Sequence, residues 1–259
     1  MDDWQTPMTV FFICLVRIIL IFRTAPFLAG EAVARNVRNT VCMSLVFLVY
    51  PVVRGEIDGE LMLTPFLMVV VIKEAIIGLL IGYLLGLLFW TAEGMGFIID
   101  NQRGASMASS LDPLSGQSSS PLGSMFFQTI VMLFFTTGAF VSFIGFVMHS
   151  YVTWPVFSFV PNLENKQLVD LFIDQFALLI KSVFVLAGPI LIVCFLTDLG
   201  LGLINRFAPQ LNVFFLSMPV KSGLALFVLI IYVRVLMRIF GKNISQMDVL
   251  FKVLQEAFQ

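Results

Sequence analysis

The sequence has few charges for its length. Only 12% of its 259 residues are charged, whereas 59% are hydrophobic, and the mean hydropathy is +1.00. An ordinary soluble domain carries about 25% charged residues, so a soluble core of this size could not cover so much apolar surface. The composition therefore predicts an integral membrane protein. The net charge of −1 also provides no basic field that would attract nucleic acid.

Residues that carry metal and redox chemistry are also scarce. The chain has one histidine and three cysteines, and Cys14, Cys42 and Cys194 each lie inside a different apolar segment. We interpret these cysteines as small buried hydrophobic residues. The sequence contains no glycine-rich phosphate loop, no GxSxG or HExxH motif and no cysteine pair at metal spacing. We therefore expect no enzyme activity, no catalytic residue, no metal and no cofactor.

Apolar segments follow one another along most of the chain, separated by polar or turn-rich connectors. They cover residues 8–22, 40–53, 61–90, 125–148, 182–197 and 211–233. Segments of this kind predict an all-α fold, namely a multi-helix integral membrane protein built of helical hairpins with broken or kinked helices. We expect residues 1–259 to form a single membrane domain.

Three of these regions carry more specific expectations. The stretch 125–148 has no charge and predicts one uninterrupted span, followed by Tyr151 and Trp154 in a headgroup belt. The Gly-Pro pair at 188–189 predicts a kink or the start of a helix. The C-terminal tail, 234–259, predicts a short amphipathic helix at a surface.

The basic residues conflict with a simple series of antiparallel spans. Arg23, Arg35 and Arg38 follow the first apolar segment, and a second basic region occupies the C-terminal tail. Positively charged loops favour the cytoplasm, yet these two regions would lie on opposite sides if every segment crossed. Either one segment does not cross, or the chain is not an ordinary bundle. Charges inside several apolar segments favour a place within a larger assembly.

Two of those charges, Lys73 and Glu74, lie near the middle of the segment 61–90. A charge at the centre of a bilayer costs about 2.5–3.5 kcal/mol on insertion scales. Adjacent residues on a helix point about 100° apart, so each of the two charges needs a partner elsewhere or water. Neutralisation by neighbouring groups is favoured over a proton relay.

The same segment carries a glycine at every fourth position. These residues are Gly78, Gly82 and Gly86. Glycines at this spacing form one face of a helix on which another backbone can pack closely. We therefore expect a helix-packing face there.

Two polar stretches, 93–124 and 198–222, interrupt the apolar chain. In the first, Asp100 and Arg103 are three residues apart and would pair on one face of a continuing helix. The serine- and glycine-rich residues that follow are either a solvated linker or a flexible segment that fills or gates a space, and composition leaves both open. In the second stretch, Arg206 supplies a charge that cannot be neutralised.

The groups in both stretches suit a passageway better than a catalytic centre. They comprise amide donors and acceptors, fixed cations, and prolines that free backbone groups for neighbouring helices. The candidate contact residues are Asp100, Asn101, Gln102, Arg103, Gly104, Asp112, Pro113, Arg206, Pro209, Gln210, Asn212, Pro219 and Lys221. Such features fit either the broken-helix site of a secondary transporter or the contact surface of a channel-forming assembly.

The same residues resemble the signatures of a known family. The stretch 100–104 (DNQRG), with 106–108 (SMA) and 111–113 (LDP), resembles the first signature, and 205–214 (NRFAPQLNVF), with 219–222 (PVKS), resembles the second. The family is the type III secretion export-apparatus component called SctT in injectisomes and FliR in flagella. The first signature is closer to the injectisome branch, which is typical of virulence or symbiosis systems.

The resemblance implies a non-catalytic subunit, present once, in a helical export gate of the bacterial inner membrane that lies partly on the periplasmic side. SctR-like and SctS-like subunits would form the gate with it, SctU-like and SctV-like components would adjoin it, and unfolded secreted proteins would pass through. By this likeness the loop 104–124 helps to plug the closed pore, and the polar residues make contacts between subunits or in the lumen. A secondary transporter for a small solute remains the alternative, although the two polar stretches show no clear repeat.

Overall fold

The computed structural model describes residues 5–29, 34–54, 64–105, 120–157, 166–208, 210 and 213–257. This part of the chain is helical and contains no strand, which confirms the all-α prediction. The helices are α1 (Gln5–Thr24), α2 (Pro26–Ala29), α3 (Arg35–Arg54), α4 (Thr64–Arg103), α5 (Pro121–Thr136), α6 (Ala139–Thr153), α7 (Lys166–Phe207) and α8 (Val213–Ala257).

Four described helices are long and apolar enough to span a membrane, and α5 with α6 makes a fifth if that broken pair is one span. The four stretches are Pro7–Thr24, Leu67–Arg103, Asp170–Phe207 and Phe215–Met247. Helix α3, which covers the predicted segment 40–53, is not among them. The prediction of a multi-helix membrane protein is therefore confirmed.

Contacts within the chain group it into two compact units, and the single membrane domain over residues 1–259 stays a prediction. The first unit comprises Met1–Leu88, Phe135–Gln175 and Ser245–Gln259. In it α1 packs against α3. An aromatic cluster forms part of the core, since the ring of Phe143 lies 6.1 Å from that of Phe22 and 6.4 Å from that of Phe27. Such edge-to-face pairs add to the stabilisation by burial.

The second unit comprises Phe89–Phe134 and Phe176–Ile244. Its core includes Phe89, whose ring lies 5.4 Å from that of Phe134. Helices α4 and α5 approach at their backbones here, because a Cβ placed on Gly96 would lie 2.6 Å from the carbonyl carbon of Leu122. The absence of a side chain at Gly96 is therefore a condition for this helix pair.

The prediction of one uninterrupted span over 125–148 is wrong. Helix α5 ends at Thr136 and α6 begins at Ala139, with Gly138 between them at a φ of 77°. This left-handed conformation ends a helix and is strained for residues that carry a Cβ. Hydropathy alone does not detect such a backbone break.

Expectations for the C-terminal half need correction too. Pro189 lies inside the continuous helix α7, so no new helix starts at 188–189. The tail is not a short separate helix, because α8 runs without a break from Val213 through Pro219 to Ala257. A proline removes one hydrogen bond, but in an apolar environment the remaining backbone groups have no better partners than those within the helix.

Candidate functional site

The first polar stretch places its acidic residue at the junction of α4 and α5. The carboxylate of Asp100, 3% exposed, accepts a hydrogen bond from Arg103 Nε at 2.7 Å. Its other oxygen accepts from Ser120 Oγ at 2.6 Å and from the backbone N–H of Leu122 at 2.9 Å. The predicted pairing of Asp100 with Arg103 is thereby confirmed. One carboxylate joins the residues on either side of the segment 106–119, which lies outside the described residues.

Serine 120 also begins α5 in the way expected of an N-terminal cap. Its hydroxyl oxygen accepts a hydrogen bond from the backbone N–H of Gly123 at 3.0 Å while its proton is donated to Asp100. Capping satisfies a backbone donor that the first turn of a helix leaves unpaired. The negative charge of Asp100 is favourable here because the helix dipole is positive at this end.

Arginine 103 extends this arrangement to α8. Its Nη1 donates to Ser222 Oγ at 3.0 Å. Next to it, Gly104 has a φ of 86° and faces the side chain of Met218, which a Cβ at position 104 would approach to 3.3 Å. We call Asp100, Arg103, Ser120 and Ser222 the loop-base cluster.

A second ion pair in the same unit joins α7 to α8. Lys221 Nζ lies 3.0 Å from Asp198 Oδ1, and the side chains are 13% and 40% exposed. Such a partly exposed pair contributes at most about 1 kcal/mol. Its main effect is to neutralise two charges in apolar helices, where either alone would be costly.

The other predicted contact residues that the structure describes are more exposed. Gln102 is half-buried, and Asn101, Arg206, Gln210 and Pro219 are exposed. Within the described part of the chain, Arg206 makes no hydrogen bond or ion pair. Asp112, Pro113, Pro209 and Asn212 lie outside the described residues. For all the residues named in this paragraph, a role in contacts between subunits or in the lumen stays a prediction.

Glycines of the predicted packing face lie against α1. A Cβ placed on Gly78 would lie 2.7 Å from the carbonyl oxygen of Arg17, and one on Gly82 would lie 2.8 Å from that of Ile21. Gly86 is buried as well. At Gly78 and Gly82 the close obstacles include rigid backbone atoms of α1, so even an alanine would displace that helix.

The most buried polar group of the first unit was not anticipated from the sequence. Arg17 and Glu74 are both 0% exposed and form a two-point ion pair, with distances of 2.5 Å (Nε–Oε2) and 2.9 Å (Nη2–Oε1). Lys73 Nζ lies 3.3 Å from Oε1 of the same carboxylate. We call Arg17, Lys73 and Glu74, with Ser150 and Tyr151, the helix-end cluster.

Both cations of this cluster reach the C-terminal end of α6. Arg17 donates to the carbonyls of Ser150 at 2.9 Å and Trp154 at 3.0 Å. Lys73 donates to those of Pro155 at 2.8 Å and Val156 at 2.6 Å. Trp154, Pro155 and Val156 follow the last residue of α6, and the helix dipole is negative at this end. The expectation that Lys73 and Glu74 find partners elsewhere is confirmed, although the two also lie close to each other.

The ring of Tyr151 packs against the guanidinium group of Arg17 in this cluster. The Arg17 guanidinium carbon lies 4.1 Å from the centre of its ring, and Tyr151 Oη donates to the carbonyl of Cys14 at 2.8 Å. Tyr151 and Trp154 are 1% and 4% exposed, so the predicted headgroup belt is wrong for both rings. The sequence did carry a signal for the buried ion pair, because one apolar segment contains an arginine and another contains a glutamate.

The described residues offer little that suggests chemistry. No group of three or more His, Cys, Asp or Glu among them could hold a metal ion. Cys14, Cys42 and Cys194 are buried, as predicted for small hydrophobic residues. A shallow groove of about 420 Å³ between α7 and α8 has an almost wholly apolar lining that includes Leu196 and Leu224. The sites are thus polar contacts within an apolar scaffold.

Comparisons with known proteins agree with this description. The family model for "Bacterial export proteins, family 1" matches residues 8–247. The chain is 43% identical over 236 residues to the Yop proteins translocation protein T of Yersinia pestis, covering 89% of this chain and 88% of the relative. It is 33% identical over 221 residues to the surface presentation of antigens protein SpaR of Salmonella typhimurium, covering 83% and 80%. It is 30% identical over 182 residues to the flagellar biosynthetic protein FliR of Bacillus subtilis, covering 70% and 68%.

Proposed function

We propose that this chain, which belongs to the bacterial export proteins of family 1, is a non-catalytic structural subunit of the inner-membrane export gate of a type III protein secretion system. The observation that carries the proposal is the match over almost the whole chain to the secretion proteins described above. Identity is higher to the Yop protein than to the flagellar relative, which supports an injectisome rather than a flagellum.

The lengths of the helices support a place among other subunits. Helices α4, α7 and α8 contain 40, 42 and 45 residues. At 1.5 Å per residue they measure about 60–68 Å, roughly twice the ~30 Å hydrocarbon core. Their exposed apolar side chains therefore extend beyond what lipid alone covers. We propose that SctR-like and SctS-like subunits cover the remainder, with one copy of this chain per gate and SctU-like and SctV-like components adjoining it.

The loop-base cluster supports a role in closing the channel. Asp100 accepts hydrogen bonds both from Arg103, the last residue of α4, and from Ser120, which precedes α5. The two ends of the intervening segment therefore lie close together. We propose that this segment contributes to the closed state while unfolded substrates wait for export. The other polar residues of the two stretches, such as Arg206, then contact partner subunits or line the passage.

The span count supports an orientation in the bacterial inner membrane. If the broken pair α5 and α6 crosses once and α3 does not cross, five spans lie in the chain. The basic residues after α1 and those in α8 near the C-terminus then lie on the same side. This removes the conflict with the positive-inside rule and assigns both basic regions to the cytoplasm.

Helices α7 and α8 offer no support for a solute transporter. Such proteins place substrates at unwound segments in the middle of paired helices. Helices α7 and α8 instead continue through Pro189 and Pro219.

Deletion and complementation test the proposal. We expect deletion of the gene to abolish secretion of type III substrates into the medium while leaving their synthesis unchanged, and wild-type protein to restore it. Undiminished secretion by the deletion strain would contradict the proposal.

A further inference from the structure

The exposed side of α8 changes from apolar to basic along a row of side chains spaced four residues apart. Residues four apart are neighbours on the surface of a helix, and each step turns the row by about 40°. The row begins with Leu226, 40% exposed, and Ile230, 73% exposed. It continues with Arg234, Arg238 and Lys242, which are all exposed.

The charge of this region has one sign. From Val213 to Met247 the sequence contains no aspartate or glutamate. Of the basic residues in this stretch, Lys221 is neutralised by Asp198, whereas Arg234 and Arg238 form no hydrogen bond or ion pair with any described residue. Arg234 and Arg238 thus present positive charge that the described part of the chain does not compensate.

The position of the basic row indicates what would compensate it. Phe227, Ile230 and Ile231, just before Arg234, are 62%, 73% and 66% exposed, as expected for side chains in hydrocarbon. Arg234 and Arg238 are four residues apart, which is about 6 Å along the helix. That distance fits within the roughly 5–8 Å headgroup layer of one leaflet, towards which flexible cationic side chains can reach.

We propose that Arg234 and Arg238 form a binding surface for the phosphate groups of anionic lipids. Exposed apolar side chains before the row place α8 in the hydrocarbon, and the guanidinium groups then meet the phosphates at its edge. Arginine suits this role because its planar fork donates two hydrogen bonds to one phosphate. The proposal depends on α8 spanning the membrane and is independent of the role in secretion.

Native mass spectrometry of the purified chain in mild detergent tests the proposal. The probes are dioleoyl phosphatidylglycerol and dioleoyl phosphatidylcholine, which share their acyl chains. We expect the wild type to retain phosphatidylglycerol in preference. Each basic residue near a membrane surface contributes about 1 kcal/mol, so the double variant Arg234→Gln, Arg238→Gln should bind phosphatidylglycerol roughly 30-fold more weakly. Binding of phosphatidylcholine should not change.

The matched control is the double variant Arg23→Gln, Lys181→Gln, which removes two exposed positive charges elsewhere. Glutamine keeps a high helix propensity, and the substituted side chains are exposed, so both variants should fold. An unchanged elution volume in size-exclusion chromatography checks this. Equal retention of phosphatidylglycerol by wild type and the Arg234, Arg238 variant would overturn the proposal. An equal loss in both double variants would also overturn it, because net charge rather than this row would then be responsible.

Discussion

Replacement of Glu74 by glutamine should strongly destabilise the chain. Its carboxylate is 0% exposed and faces two cations, Arg17 at 2.5 Å and Lys73 at 3.3 Å. Without it, the fully buried Arg17 keeps its positive charge inside the first unit and loses the carboxylate that it contacts at two points. Removal of one partner from a buried ion pair costs about 3–5 kcal/mol. Because the glutamine oxygen can still accept one hydrogen bond, we expect the lower end of that range.

The matched control is Glu93→Gln, the same chemical change at an exposed position of the same helix. A loss of about 3 kcal/mol corresponds to a fall in melting temperature of roughly 6–12 °C in a chain of this size. The assay heats the purified protein in detergent and measures the folded fraction by size-exclusion chromatography. Equal melting temperatures for the two variants would refute the structural role that we assign to the helix-end cluster.

The remaining predictions concern other contacts. Asp100→Asn should destabilise the chain by about 1.5–3 kcal/mol, because both carboxylate oxygens accept from donors and the amide NH2 would face a donor in either orientation. The same melting assay measures this loss, and an unchanged melting temperature would argue against the loop-base cluster. Gly82→Ala should lower the yield of folded protein, whereas Gly145→Ala, where a Cβ meets open space, should leave it unchanged or raise it; similar yields would contradict the close packing on α1. Arg206→Glu should stop assembly or secretion, as measured by substrate in the medium, and normal secretion would show that this exposed arginine is not a required contact.

Several local features could be predicted from the sequence because they depend on short-range rules. The pairing of Asp100 with Arg103 follows from their spacing on a helix. The need of Lys73 and Glu74 for partners follows from the cost of charge in an apolar segment. The identity of those partners could not be predicted, because Arg17 is distant in sequence and the carbonyls that Lys73 contacts lie just beyond the end of α6.

The errors arose where backbone conformation overrides composition. The stretch 125–148 is uniformly apolar, yet Gly138 adopts a left-handed conformation and divides it. At Pro189 a kink or the start of a helix was expected, and no helix starts there, because α7 passes through it where its neighbours have no alternative partners in an apolar environment. Tyr151 was assigned to a membrane interface by its amphipathic character, but its ring packs against a buried cation instead.

Native mass spectrometry of the chain, purified in mild detergent from cells that co-express its genomic neighbours, tests the central claim most directly. The account predicts one copy of this chain bound to several copies each of two other small hydrophobic proteins. A monomer or a homo-oligomer, obtained while those neighbours are present and expressed, would contradict it.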